Sequence, residues 1–327
     1  MSILRSLLCA AGALAISASL AGAQSYPTKA ITLIVPFAPG GGIDASARFQ
    51  AQILGEILGQ TMVVENVGGA SGTIGSAKAA KSRPDGYTML IGNSGTHAYS
   101  QSLYKTKPFD SLTDFEFVGL VTESPRILIG RKDLPVNNLK EFVEYAKANQ
   151  AKMQYGSAGV GSGTHLPCAL FTHALGLKIE HIPYRGAGPV MTDLIAGRID
   201  FMCDTIQTGA ARAKSGLVKG LAVMAPKRLP IIPDLATTGE QGFKGLEATV
   251  WNGFFFPKGT PAAIVTTMHG AVQKMLARPD VQGKMTSFGL DVVPPDQRSP
   301  AHMKKVLAED IERWGKLIRE VGITVEP

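Results

Sequence analysis

The stretch from Ile31 to Arg48, ITLIVPFAPGGGIDASAR, carries an apolar run into Pro39-Gly40-Gly41-Gly42 and starts a new periodicity behind Asp44. Ile31, Leu33, Ile34, Val35 and Phe37 predict a buried strand, and Phe49, Ile53, Leu54, Ile57 and Leu58 recur at helical spacing. Strand, glycine turn and helix therefore follow in order. The first amide N–H groups of such a helix have no intrahelical acceptor and lie at the positive end of its dipole, a place that attracts anions. Glycine suits the turn because a side chain would keep a ligand away from the backbone. A single loop of this kind is equally a tight connection in an α/β domain, so its repetition matters.

The theme does repeat. Thr61 to Asn66 predicts a strand leading into Val67 to Gly75 (VGGASGTIG) and a helix over Ser76 to Lys81, and Tyr87 to Ile91 runs into Gly92-Asn93-Ser94-Gly95-Thr96-His97. Phe115 to Leu120 and Arg126 to Gly130 predict a longer extended region, interrupted at Glu123-Ser124-Pro125, that crosses into a second domain. There Asn138 and Glu141 make a capping-box pattern, and Met153 to Tyr155 is a strand before the loop Gly156 to His165 (GSAGVGSGTH). Ile179 to Tyr184 and Ile199 to Asp204 follow as strands, with Asp204 at a strand end. Glu247 to Pro257 reads as the return crossing, and Thr260-Pro261 as the cap and first residue of a helix. Alternating strands and helices argue for parallel sheets, whose ligands gather outside the carboxyl ends of the strands.

The chain has 327 residues, 45% hydrophobic and 18% charged, enough for two domains of ordinary globular composition. Arg5, the apolar run Leu7 to Leu20 and Ala21-Gly22-Ala23 form a signal-peptide pattern, so export with cleavage after Ala23 is expected. Losing Arg5 takes the net charge from +7 to +6. That excess suits an anionic small ligand, and no Lys/Arg block interleaved with aromatics points to nucleic acid. The sequence favours Cys168 and Cys203 as two buried free thiols, although the compartment permits a bridge.

Catalytic patterns are absent from the same loops. Ser71, Ser94, Ser157 and Ser162 each lack at least one glycine of a G-x-S-x-G elbow. Gly159-Val160-Gly161 reaches Thr164, and Gly40-Gly41-Gly42 reaches Ala45, where a dinucleotide fingerprint needs glycine. No metal-ligand cluster and no cofactor motif occurs, and the expectation is a binding protein rather than an enzyme. A hydrolase using His165 and Ser157 is the alternative from another class.

In Ile31 to Asp44, Val64 to Gly75, Arg83 to Tyr87, Tyr155 to Leu166, His181 to Pro189 and Trp251 to Pro261, the chain resembles the periplasmic solute-binding proteins of tripartite tricarboxylate transporters, the Bug-type receptors. The resemblance implies an α/β, two-lobed periplasmic binding protein fold (type II-like), with two crossing strands as hinge and the ligand cleft between the lobes. The lobes would divide as 24–124 with 249–327, and 125–248. It further implies that a small organic carboxylate is gripped by backbone amides and hydroxyls, then delivered by a monomer to a large and a small integral-membrane subunit. A receptor reporting to a membrane kinase is the alternative within binding proteins.

Carried over by motif, the contacts fall on Pro39, Gly40, Gly41 and Asp44, on Ala70, Ser71, Gly72 and Thr73, on Asn93, Ser94, Gly95 and Thr96, and on Ser157, Ser162, Thr164, His165 and Asp204. Asp44 is expected to structure its loop, since its charge would repel a carboxylate. Two features depart from the family's pattern: Cys203-Asp204-Thr205-Ile206, and Arg126 in the first crossing. Arg126 pairs either with a second carboxylate of the ligand or in an exposed salt bridge between the lobes.

Overall fold

The computed structural model describes residues 26–104 and 106–323, so the signal-peptide expectation lies outside the described residues. The strands are β1 Ile31–Val35, β2 Met62–Asn66, β3 Thr88–Asn93, β4 Phe115–Arg131, β5 Gln154–Ser157, β6 Glu180–Pro183, β7 Phe201–Thr205, β8 Val218–Met224, β9 Thr249–Pro257 and β10 Asp291–Val292. The helices, in our numbering, are α1 Gly42–Leu58, α2 Thr73–Ala80, α3 Ser100–Leu103, α4 Leu139–Asn149, α5 Leu166–Ala174, α6 Ala187–Ile195, α7 Ile206–Lys214, α8 Ala262–Ala277, α9 Pro279–Ser287 and α10 Pro300–Val321. Among the described residues no helix is long and apolar enough to cross a membrane.

The strand order is β2-β1-β3-β9-β4-β7-β5-β6, with β8 and β10 also on β4. β1 runs parallel to β2 and β3, and β5 parallel to β6 and β7, as the alternation predicts. Ile31, Leu33 and Val35 pack on one side of β1, and Ile34 packs on the other with Leu90 and Phe255. A strand covered on both faces is apolar along most of its length, which is why this sequence shows no strict alternation. In the second lobe Leu128, Phe201 and Cys203 face one core, and Ile127, Ile129 and Met202 the other.

The crossing is a single long strand. From Phe115 to Pro125, β4 pairs antiparallel with β9; from Arg126 onward it pairs with β7 and β8 instead. The expected interruption at Glu123-Ser124-Pro125 is therefore absent. Pro125 stands opposite Thr249, the first residue of β9, where a missing ladder donor costs least. Thr260 also departs from expectation: its hydroxyl donates to the Pro257 carbonyl at 2.8 Å, and α8 starts behind Pro261 with no side-chain cap. The capping pattern at Asn138 is present, with Glu141 N donating to Asn138 Oδ1 at 2.9 Å.

The two cysteines are bridged rather than free. Cys168 lies on α5 and Cys203 on β7, and the packing of that helix on its sheet brings their Cα atoms to 5.5 Å, within reach of a disulfide. Linear spacing, 35 residues, carries no trace of this adjacency. Reduction is expected to remove about 4 kcal/mol of loop-closure stabilisation. Denaturant midpoints with and without dithiothreitol check it, and a midpoint unmoved by reductant would show the bridge to contribute nothing.

Candidate functional site

An inner cavity of about 180 Å³ lies between the lobes. The first lobe contributes Phe37 to Asp44, the turn and opening residues of α1. From the second come Ala158, Ser162 to Thr164, Gly186 to Pro189 at the start of α6, and Thr205 ahead of α7. Neither Gly41 before α1 nor Gly186 before α6 offers a side-chain cap, so the positive ends of two helices from opposite lobes meet the same space. The walls come close: a Cβ on Gly42 would stand 3.1 Å from Gln207 Oε1 and 3.3 Å from Thr205 Oγ1 across the cleft.

Asp44 does not present a free charge to this cavity. Its carboxylate accepts from Gly40 N at 2.9 Å, Asn66 Nδ2 at 2.9 Å and Arg48 Nε at 3.1 Å. Burial works to raise its pKa, but Arg48 and the other two donors together hold it below the usual carboxylate value. The residue ties the glycine turn to its own helix.

Arg126 sits on β4 at the residue where pairing changes lobes, and it is only 2% exposed. Its Nε and Nη1 have no hydrogen-bond partner, and the side chain lines the inner cavity beside Asn93 and Gly163. Burial lowers its pKa to about 10, opposed by the fields of Tyr99 and Asp204. It stays cationic at neutral pH.

The loop after β5 is folded by its own polar groups. Ala158 N donates to Thr164 Oγ1 at 2.8 Å, Thr164 and Ser162 hydroxyls meet at 3.0 Å, and Gly161 N donates to His165 Nδ1 at 2.9 Å. Behind it the rings of His165 and His181 stack at 3.9 Å, and Ser157 Oγ meets His181 Nε2 at 2.7 Å. At the mouth, Ser71 Oγ reaches across the lobes to the Val160 carbonyl at 2.5 Å. Ala70 and Ser71 hold left-handed φ angles of 44° and 55°, a strained arrangement that puts this hydroxyl over the cleft. A wider outer chamber of about 760 Å³, lined by Tyr104, Tyr184 and Arg185, shares Phe37, Ala38, Pro39 and Ala158 with the inner one.

Pro39, Gly40, Gly41, Asp44, Asn93, Arg126, Ser162 and Thr164 thus line the inner cavity, and Ala70, Ser71 and Gly72 the outer one. The other expected contacts line neither and support the walls. Thr73 donates to Ala70 O at 2.7 Å, Ser94 Oγ accepts from Trp251 N at 3.3 Å, and Thr96 N donates to Asn93 Oδ1 at 3.0 Å. A Cβ on Gly95 would lie 3.0 Å from Gly163 N. Asp204 is fully buried, accepts from Thr205 N at 2.7 Å and from Thr208 Oγ1, and has its pKa pushed up to about 6 by burial. Ser157 and His165 form no pair: the Ser157 hydroxyl meets His181, and His165 Nδ1 is taken by Gly161 N. The motif reading passed over Gly186-Ala187-Gly188-Pro189, although a glycine run between strand and helix was the signal that found the other loops.

Two α/β lobes joined by antiparallel crossing strands, with a cavity walled by helix starts from both, define a solute-binding receptor. Residues 46–323 match the tripartite tricarboxylate transporter family receptor, and the chain belongs to that family. Its fold is similar to that of the periplasmic binding protein BugD, at 38% identity and a TM-score of 0.87 over 92% of this chain and 100% of the other. Similar too are MatC from Rhodopseudomonas palustris with bound malate (34%, TM-score 0.85, 90% and 100% covered) and a second R. palustris protein with adipate (34%, 0.87, 91% and 99%).

Burial lowers the pKa of His165 to about 3, helped by the field of His181, and that of His181 to about 4. Burial likewise takes His97, stacked on Phe255 at 4.0 Å, down to about 3. Unfolding raises each toward 6.5. Their contribution to stability is therefore full above about pH 6.5 and is lost as pH falls toward 4, by on the order of 1.4 kcal/mol per pH unit per histidine. Melting temperatures from pH 8 to 4 are expected to fall along this course, with a shallower slope in His165→Asn; an unchanged slope in that variant would refute the assignment.

Proposed function

We propose that this receptor captures a small organic carboxylate between its lobes and delivers it to the integral-membrane subunits, one large and one small, of a tripartite tricarboxylate-type transporter. The observation that carries the reading is the pair of uncapped helix starts, α1 and α6, facing one interlobe cavity from opposite sides. An anion between them satisfies amides of both lobes at once, so it binds the closed arrangement better than the open one and shifts the population toward it. The malate and adipate held by the two R. palustris relatives favour a carboxylate as that anion.

In this reading the acid is held by amides of Gly41 and Gly42 and by the Ser162 and Thr164 hydroxyls, with Gly40 N kept by Asp44 and Ser71 closing the mouth. The lobes are residues 24–124 with 249–327, and 125–248, and the mature monomer starts after Ala23. No residue is assigned a catalytic role: Ser157 is buried and lines neither chamber.

A thermal-shift series on residues 24–327, unfolded and refolded without reductant to strip carried-over ligand, tests the function against mono-, di-, tri- and aromatic carboxylates and their amides. A melting temperature raised by an acid and not by its amide is the expected result, since a ligand of the folded state stabilises by mass action. No rise with any acid would refute it.

A further inference from the structure

The inner cavity holds two separate provisions for negative charge. One is the pair of helix starts at its sides; the other is Arg126 on the strand that joins the lobes. A guanidinium that is 2% exposed, with Nε and Nη1 unpartnered, is costly to desolvate unless something pairs with it. Among the described residues no ion pair supplies that charge. The facing groups are Tyr99, whose hydroxyl is itself unpartnered, and Asp204, whose carboxyl is engaged by Thr205 N and Thr208 Oγ1.

The side chain is directed at the cavity wall. Its Nη2 lies 2.8 Å from where a Cβ on Gly163 would stand, so the absence of a side chain at 163 leaves the guanidinium room in this place. Nη2 is common to both donor edges of a guanidinium, and here each edge also carries an unpartnered nitrogen. A planar fork of this kind matches a carboxylate bidentately.

We propose that Arg126 is a specificity-determining residue that makes this receptor selective for compact dicarboxylates, a reading that rests on the carboxylate function above. One carboxylate takes the helix-start amides and the loop hydroxyls, and the second takes the Arg126 fork. The inner cavity, at about 180 Å³, is the smaller of the two chambers, which keeps both acid groups close together. A monocarboxylate satisfies one provision and leaves the other buried and unpaired. Truncating one partner of a buried charge pair costs enough to weaken binding on the order of 100-fold.

Calorimetric titration of the refolded mature chain with succinate, glutarate and adipate, each beside its monoamide and its monocarboxylate, reads this directly, with inorganic phosphate as the tetrahedral anion. The expected result is a dicarboxylate preference on the order of 100-fold that shrinks below about 10-fold in Arg126→Met. Ligand-free Arg126→Met should melt no lower than wild type, because an unpaired buried charge has been removed. Arg126→Lys, which keeps charge but not the fork, should fall between the two.

Monocarboxylates bound as tightly as dicarboxylates, tighter binding of phosphate, or a preference that survives Arg126→Met each overturn the proposal while leaving an anion receptor in place. A lower melting temperature in ligand-free Arg126→Met, with the preference intact, would make Arg126 a packing residue. Binding of no acid at all overturns both this inference and the carboxylate function.

Discussion

A helix that starts without a side-chain cap leaves backbone N–H groups that need acceptors, and buried donors of this kind seldom go unpaired. Here α1 and α6 leave theirs on facing walls of one cavity, and each helix belongs to a different lobe. The remaining architecture sets that confrontation up. Parallel strands deliver every helix start to the same end of its sheet, and the antiparallel crossing of β4 and β9 turns the two sheet ends toward each other. The glycines between strand and helix then let the two walls approach, as Gly42 does beneath Gln207.

Much of this frame was legible because its strands are covered on both faces. β1 and the return crossing β9 show as mostly apolar stretches rich in β-branched and aromatic residues, and a stretch of that kind beside glycine loops has few other readings. What was misread has a common cause. Pro125 breaks a strand in isolation but is harmless where β4 exchanges one partner for others, and no local pattern announces an exchange of partners. The Cys168–Cys203 bridge depends on a helix packing onto a sheet, a contact that exists only after folding.

The site was legible to a different depth. Glycine loops at strand ends identified the walls, yet a motif cannot say whether a polar side chain faces the ligand or turns back into its own loop. Thr96, Ser157 and His165 turn back, their hydrogen-bonding capacity used by Asn93, His181 and Gly161 respectively. Arg126 was the reverse case. Its sequence position allowed either a partner across the lobes or a ligand, and among the described residues no such partner meets its buried, unpaired nitrogens beside the cavity.

The contact between Arg126 and Gly163 also bears on how such receptors diversify. The two residues sit on different elements of the second lobe, 37 positions apart in sequence (163 less 126), yet the guanidinium tip occupies the place a side chain at 163 would take. A side chain at 163 pushes that tip aside, and a smaller group at 126 leaves the place open, so a substitution at either position reshapes the chamber floor.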